Sequence, residues 1–213
     1  VDALDPDVLV AQECEDPAYS AAAYRDWADN YCWIGYGKSK GIGVFARRGL
    51  SIERLDWHDA GYQLFLPVRI AGKFNILAVW TQSTKPASMA YIGQFWHYLQ
   101  LHKSKLDHST IICGDFNSNQ IWDRPRRAWN HSDCVRELGD LGFFSAYHRH
   151  MNEPHGAESD PTFYLYRDVK RPFHMDYIFA HEQRLNLDAN CFKVGSPDDW
   201  LTFSDHMPLI IDL

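Results

Sequence analysis

A chain of 213 residues with 46% hydrophobic and 23% charged residues has the composition of an ordinary globular protein with enough apolar material for one substantial core. No stretch approaches the roughly 20 consecutive apolar residues that a membrane span requires. A balance of 21 basic against 28 acidic residues, net −7, argues against a protein that coats nucleic acid through a basic surface, though not against an enzyme that meets phosphate through a metal and a local basic patch.

Short apolar runs recur along the chain at Val8–Ala11, Tyr31–Gly35, Gly43–Ala46, Tyr62–Ile70, Phe74–Trp80, Thr110–Cys113, Thr162–Tyr166, Met175–Ala180 and Leu209–Leu213. Their length and their β-branched and aromatic content predict strands. Helical spacing separates some of them, over Ala18–Ala28, over Ser88–Leu106 with Met89, Ile92, Trp96 and Leu99 on one face, and over Ser132–Leu141 up to Gly142. Ser88 and Ser132 are the predicted N-caps. The segment "RIAGKF" turns one run back into the next, which predicts an antiparallel hairpin and, beside helix-connected strands, mixed sheets. Nothing marks a linker or a repeat, so one domain over 1–213 is expected. The polar stretches Gln120–His131 and Arg149–Pro161 read as long loops of the kind that carry function.

The sequence start, "VDALDPDVLV", shows neither the basic nor the apolar region of a signal peptide. Five cysteines, Cys14, Cys32, Cys113, Cys134 and Cys191, are odd in number and without C-x-x-C spacing. Free thiols and a cytoplasmic location are the expectation.

Polar groups collect where apolar strands end. "DVLVAQE" closes on Glu13, "IICGDFN" on Asp115 and Asn117, "FHMDYIFA" carries Asp176 at its start, and "SDHMPLIIDL" opens with Asp205 and His206. Side chains at i and i+2 of an extended segment share a face, so Asp115 and Asn117 project together. Unpaired carboxylates at the mouth of a buried strand are costly, and a divalent cation would compensate them. Oxygen ligands suit a hard ion, Mg²⁺ or Mn²⁺, and the histidines, showing no ligand spacing, argue against zinc. Mg²⁺ keeps several waters and takes one or two carboxylates plus substrate oxygens, which points to a phosphate ester as substrate. The plainer alternatives are an Asx-turn for Asp115 and Asn117, a surface ion pair for Glu13, and a polar turn for Asp205 and His206.

Strand-closing "QE", then "GDFN", "HMDYIF" and "SDH", in that order from about Asp7 to Leu213, resemble the successive motifs of the endonuclease/exonuclease/phosphatase family. That family includes exonuclease III-type abasic endonucleases, deoxyribonucleases, sphingomyelinases and inositol phosphatases. The resemblance implies a four-layer α/β sandwich, two packed mixed sheets flanked by helices, with the site where strand ends converge. It further implies that Glu13 and Asp205 bind the metal, Asp115 orients or deprotonates the attacking water, and Asn117 positions water and phosphate. His206, held by Asp176, would stabilise charge on the phosphoryl group. The family opens with a strand ending in an Asn, and the chain begins after the place where that strand is expected. Where many members carry a catalytic Tyr or His, this chain reads Trp80 and Thr81, neither of which is a general acid near neutral pH. That leaves a metal-bound water, Tyr91 or His148 to protonate the leaving group.

"WDRPRRAWNH" interleaves Arg124, Arg126 and Arg127 with Trp122 and Trp129, a pattern suited to clamping phosphates and stacking on bases, or equally to a solvated loop anchored by its tryptophans. Arg171, in "YRDVKRPFHMD", is a further candidate for the same cleft. The reading is a metal-dependent phosphodiesterase, first of all a nuclease on DNA. The alternatives are a phosphoesterase on a small or lipid head group and an inactive binding module of the same fold.

Overall fold

The alternating runs become strands and the turn residues decide where they stop. In the computed structural model, described over residues 4–20, 26–127, 129–185, 188 and 191–213, the chain forms two compact units, Val1–Trp80 with Tyr98–Gly114, and Thr81–His97 with Asp115–Leu213. The sequence-predicted helix Ala18–Ala28 falls partly on residues 21–25, outside the described residues.

In the first unit, β1 (Val8–Cys14), β2 (Asn30–Tyr36) and β3 (Lys40–Ala46) make an antiparallel sheet with β3 central. Next, β4 (Ile52–Arg54), β5 (Phe65–Ile70), β6 (Phe74–Trp80) and β7 (Thr110–Asp115) lie side by side in that order. The predicted hairpin is β5–β6, closed by Ala71 and Gly72 with φ of 49° and 65°. Two successive left-handed residues are what a type I′ turn demands. Ile42, Val44, Leu66, Val68, Ile70 and Leu77 are fully buried, and the Phe65 ring stacks on Tyr98 with centroids 4.3 Å apart. Each such side chain contributes roughly 1.5–3 kcal/mol.

In the second unit, β8 (Phe143–Ser145) pairs antiparallel with β11 (Asp176–His181), β9 (Phe163–Tyr164) with β10 (Pro172–Phe173), and β12 (Phe192–Val194) with β13 (Leu209–Ile211). The core is aromatic, with the Phe116 ring 5.6 Å from both Tyr177 and Phe179 and 4.8 Å from Phe95. The helices of this unit are α2 (His131–Asp140), α3 (Ala146–Met151) and the single turn α4 (Pro197–Trp200), while α1 (Ile92–His102) has residues in both units.

Several boundaries differ from the sequence expectation. The helix predicted over Ser88–Leu106 is a 3₁₀ turn at Ala87–Met89 followed by α1, because Tyr91 takes φ 54° and gives its N–H to Gln82 instead of to a helical carbonyl. Phe95 and Tyr98, not Trp96, fill the buried face. Ser132 lies inside α2 and is not its N-cap: the Asp123 carboxylate accepts from the N–H groups of His131 and Ser132, and Asp133 Oδ2 accepts from Asn130 N–H at 2.8 Å. These carboxylates fix the helix start earlier. The strand predicted over Thr162–Tyr166 ends at Tyr164, since Tyr166 and Arg167 are both left-handed, and the loop predicted from Arg149 begins after Met151.

Candidate active site

Gly114 has φ +137°, and a Cβ there would lie 2.0 Å from the Val79 carbonyl oxygen. Only glycine fits between these strands. Beyond it, in the second unit, Asp115 is buried at 4% exposure while the Phe116 ring turns into the core and its N–H donates to Met175 O at 3.0 Å. Asn117, at φ 45°, donates its backbone N–H to Asp115 Oδ1 at 2.7 Å and its side-chain amide to Oδ2 at 2.6 Å and to Thr81 O at 3.1 Å. The Asx-turn is therefore present, and it holds both oxygens of a buried carboxylate in one orientation. Asp115 and Asn117 are one unit, and asparagine tolerates the left-handed backbone that brings them together.

Asp176, 8% exposed, opens β11, where Thr162 Oγ1 accepts from its N–H at 3.0 Å and from that of Met175 at 2.9 Å. Its Oδ2 lies 2.9 Å from His206 Nδ1. His206 is fixed from the other side by an antiparallel bridge to Phe163 and by a bond from its N–H to Ser204 Oγ. Burial works against a charge on this imidazole, but the Asp176 carboxylate, with Asp115 and Asp205 behind it, prevails and raises its pKa to about 9. At neutral pH His206 is a cation whose Nδ1 is held, leaving Nε2 as the second donor. Asp205 is half-buried, with its backbone oxygen accepting from Tyr164 N–H.

Glu13, in the first unit, sits where the β1–β3 register shifts between Gln12 and Cys14, with φ 56°. A bulge of this kind re-aims one side chain. Its carboxylate is exposed and 3.0 Å from Lys40 Nζ, the ion pair that the plainer sequence reading anticipates.

Among the proposed substrate-binding residues, Trp122 and Arg127 line a cavity of about 290 Å³ together with Tyr91, Ile92, Asn117, Ser118 and Met175. Trp122 also leans on Phe173, centroids 5.4 Å apart. Trp129 donates to Ser88 O at 2.9 Å and packs on Trp96, so it anchors the loop. Arg124 and Arg126 are exposed, and Arg171 lies over the Tyr166 ring at 5.0 Å. Of the leaving-group candidates, Tyr91 is 39% exposed in the cavity beside Asn117, whereas His148 is buried between Ser145 Oγ at 2.7 Å and Glu158 Oε1 at 3.1 Å. Thr81 is fully buried, its hydroxyl donating to Phe116 O.

The sequence reading missed a half-buried histidine cluster. His148, His155 and Glu158 bring ligand-type atoms within 4.8 Å of one another, with His131 and His174 alongside, so the statement that the histidines lack ligand spacing does not survive the fold. The signal was present as His148, His155 and Glu158 within one short polar stretch, but without an element on which to place it.

The second unit thus holds a carboxylate clamped by an amide and an Asp–His pair, with Asp205 next to the histidine in sequence. The 3′-5′ exonuclease NExo from Neisseria meningitidis is similar in structure, with 20% identity, TM-score 0.69, and 98% of this chain and 89% of that chain covered. An AP endonuclease from Archaeoglobus fulgidus is similar at 19% identity and TM-score 0.68, over 100% and 91% of the two chains. A truncated Caenorhabditis elegans TDP2 is similar at 14% identity and TM-score 0.63, over 100% and 87%. This likeness shows the α/β sandwich fold, mixed sheets with flanking helices. No curated protein matches the chain in sequence. The model of the Endonuclease/Exonuclease/phosphatase family matches residues 1–206, and the chain belongs to that family. It is a hydrolase and nuclease family whose enzymes use divalent metals. No helix among the described residues is long and apolar enough to cross a membrane.

Proposed function

We propose that this chain is a divalent-metal-dependent phosphodiesterase that hydrolyses DNA by in-line attack of a water molecule. The observation that carries the reading is the 2.9 Å pair of Asp176 and His206 in the same unit as the clamped Asp115. The similar structures support DNA as substrate: one is described as an AP endonuclease, another as a 3′-5′ exonuclease, and a Danio rerio TDP2 as complexed with a single-strand DNA product.

Asp115 accepts the proton of the attacking water or orients it, its rotamer fixed by Asn117. Asn117 positions water and phosphate. His206 donates from Nε2 to a phosphoryl oxygen and stabilises the charge that accumulates there. Tyr91, which shares the cavity with Asn117, is the better placed of the two side-chain candidates for protonating the leaving group. Trp122, Arg124, Arg126, Arg127 and Arg171 hold the polynucleotide. For the metal, Asp205 and, in the first unit, Glu13 each offer only oxygen donors, which suit Mg²⁺ or Mn²⁺, and the left-handed backbone of Glu13 at its bulge supports a functional carboxylate there. Such an ion, when bound, lowers the pKa of water and neutralises developing charge. Five free thiols support a reducing, cytoplasmic setting.

The test is incubation with Mg²⁺ or Mn²⁺ on single-stranded, duplex and abasic duplex DNA, beside Asp115→Ala and a chelator control. Cleavage should require both the metal and Asp115, with abasic duplex the first substrate to examine. Equal cutting by the variant removes the mechanism. Phosphate release from a soluble head group, with no DNA cleavage, assigns the chain to small-molecule chemistry instead.

A further inference from the structure

The histidine cluster belongs to none of these roles. His148 comes from α3, His155 and Glu158 from the loop that follows it, and one ligand atom from each lies within 4.8 Å of the other two. His148 Nε2 and Glu158 Oε1 are 3.1 Å apart. Donors about 2.0–2.1 Å from a tetrahedral ion stand roughly 3.3–3.5 Å from each other, so this edge is already near ligand spacing.

The Glu158 side chain is 4% exposed and accepts from the Gly156 N–H at 3.0 Å and from Asn119 Nδ2 at 3.1 Å, and among the described residues no Lys or Arg forms an ion pair with it. His174 Nε2 is buried with no hydrogen-bond partner among the described residues.

Outer contacts hold each side chain, as metal sites require, although the His148 and His155 rings stack with centroids 3.5 Å apart, so one ring turns for both to face a shared ion. Ser145 Oγ holds His148 Nδ1 at 2.7 Å, His131 Nε2 stands 3.2 Å from His155 Nδ1, and Asn119 Nδ2 lies 3.1 Å from both Glu158 oxygens. We propose that His148, His155 and Glu158 bind a borderline transition ion of the Zn²⁺ class, with no residue in common with Glu13 and Asp205, the carboxylates assigned above to the hard ion. Two imidazoles and one carboxylate select such an ion over Mg²⁺. The ion ties the loop after Met151 to α3. Through Asn119, which also lies 3.1 Å from Tyr177 Oη, it steadies the segment between β7 and α2 against the strand that carries Asp176.

The proposal is independent of phosphodiester chemistry, and its test reads metal. The full chain, stripped with a chelator, is titrated with Zn²⁺ against a chromophoric competitor and, separately, with Co²⁺ under visible absorption. One ion per chain should bind in the presence of millimolar Mg²⁺, Co²⁺ should give the intense bands of a tetrahedral or five-coordinate site, and X-ray absorption should show imidazole scattering. His155→Asn and Glu158→Gln should each weaken Zn²⁺ binding at least tenfold. If a variant fails to fold, the wild-type Co²⁺ and X-ray absorption spectra decide. Absence of stoichiometric Zn²⁺ in the wild type, an all-oxygen spectrum, or unchanged affinity in both folded variants overturns it.

Discussion

Replacing Asp176 by Asn removes one charge 2.9 Å from an imidazole and little else, so its consequences are calculable. His206 stands at about 9 against an ordinary 6.5, with burial opposing the rise. That gap corresponds to ~3 kcal/mol in favour of the imidazolium, and to ~2–3 kcal/mol once the partial exposure of the side chain is allowed for. Because the folded value is the higher one, the stabilisation is complete below pH 6.5 and disappears as pH climbs through about 9. Wild-type unfolding free energy should therefore fall across that window, and Asp176→Asn should flatten the slope. Without the Asp176 charge, His206 should return to 6.5 or lower, so at pH 8 its protonated fraction drops from roughly nine-tenths to a few hundredths, about 30-fold. The rate should fall by that factor or more and partly recover near pH 6. The imidazole titration by NMR in metal-free protein is the direct assay, paired with pH–rate profiles of both proteins in Mn²⁺. A wild-type His206 titrating below 7, or a variant profile superimposable on the wild type, refutes the reasoning.

Gly114→Ala should destabilise the fold by about 3 kcal/mol or more in urea unfolding, because its Cβ would stand 2.0 Å from Val79 O at a left-handed φ. Asp115→Asn should lower kcat by about 10³ or more, since the amide cannot take a proton from water, and should also lower the thermal midpoint, because it replaces one of the two oxygens that accept from Asn117 with a donor. Replacing Arg124, Arg126 and Arg127 by Ala should weaken DNA binding and reduce the slope of log K against log salt by ~0.7–0.9 for each phosphate that these arginines neutralise, read by fluorescence anisotropy at several ionic strengths. On acidification, His131 and His155, neutral when folded, should cost stability between pH 6.5 and their depressed values of about 4 and 2. Unfolding monitored by circular dichroism should begin below pH 6.5, and a His131→Asn variant that folds should resist acid better.

What was legible in the sequence was whatever depends on neighbours along the chain. The hairpin at "RIAGKF" is a local turn signal, and the pairing of Asp115 with Asn117 follows from the two-residue period of a strand. The Asp176–His206 pair spans 30 residues and was reached through motif order, which encodes a fold that periodicity does not. Boundaries failed where tertiary bonds override propensity: Tyr91 leaves the helical path to reach Gln82, and Asp123 captures the start of α2 from eight residues upstream.

The histidine cluster marks the limit of that legibility and also explains it. His131, His148, His155 and His174 come from two helices, a loop and a strand entrance, and none has a partner at helical or strand spacing. Read singly, each is a core imidazole. Only once β11 pairs with β8, and α3 continues directly from β8, do the loop after α3 and the residues following β7 meet around Glu158. A carboxylate packed among imidazoles is expensive for a protein to assemble, since each member loses solvation. A cation at its centre turns that cost into binding energy, and for this reason the cluster, not the motif-borne carboxylates, is where the fold reveals chemistry that the sequence conceals.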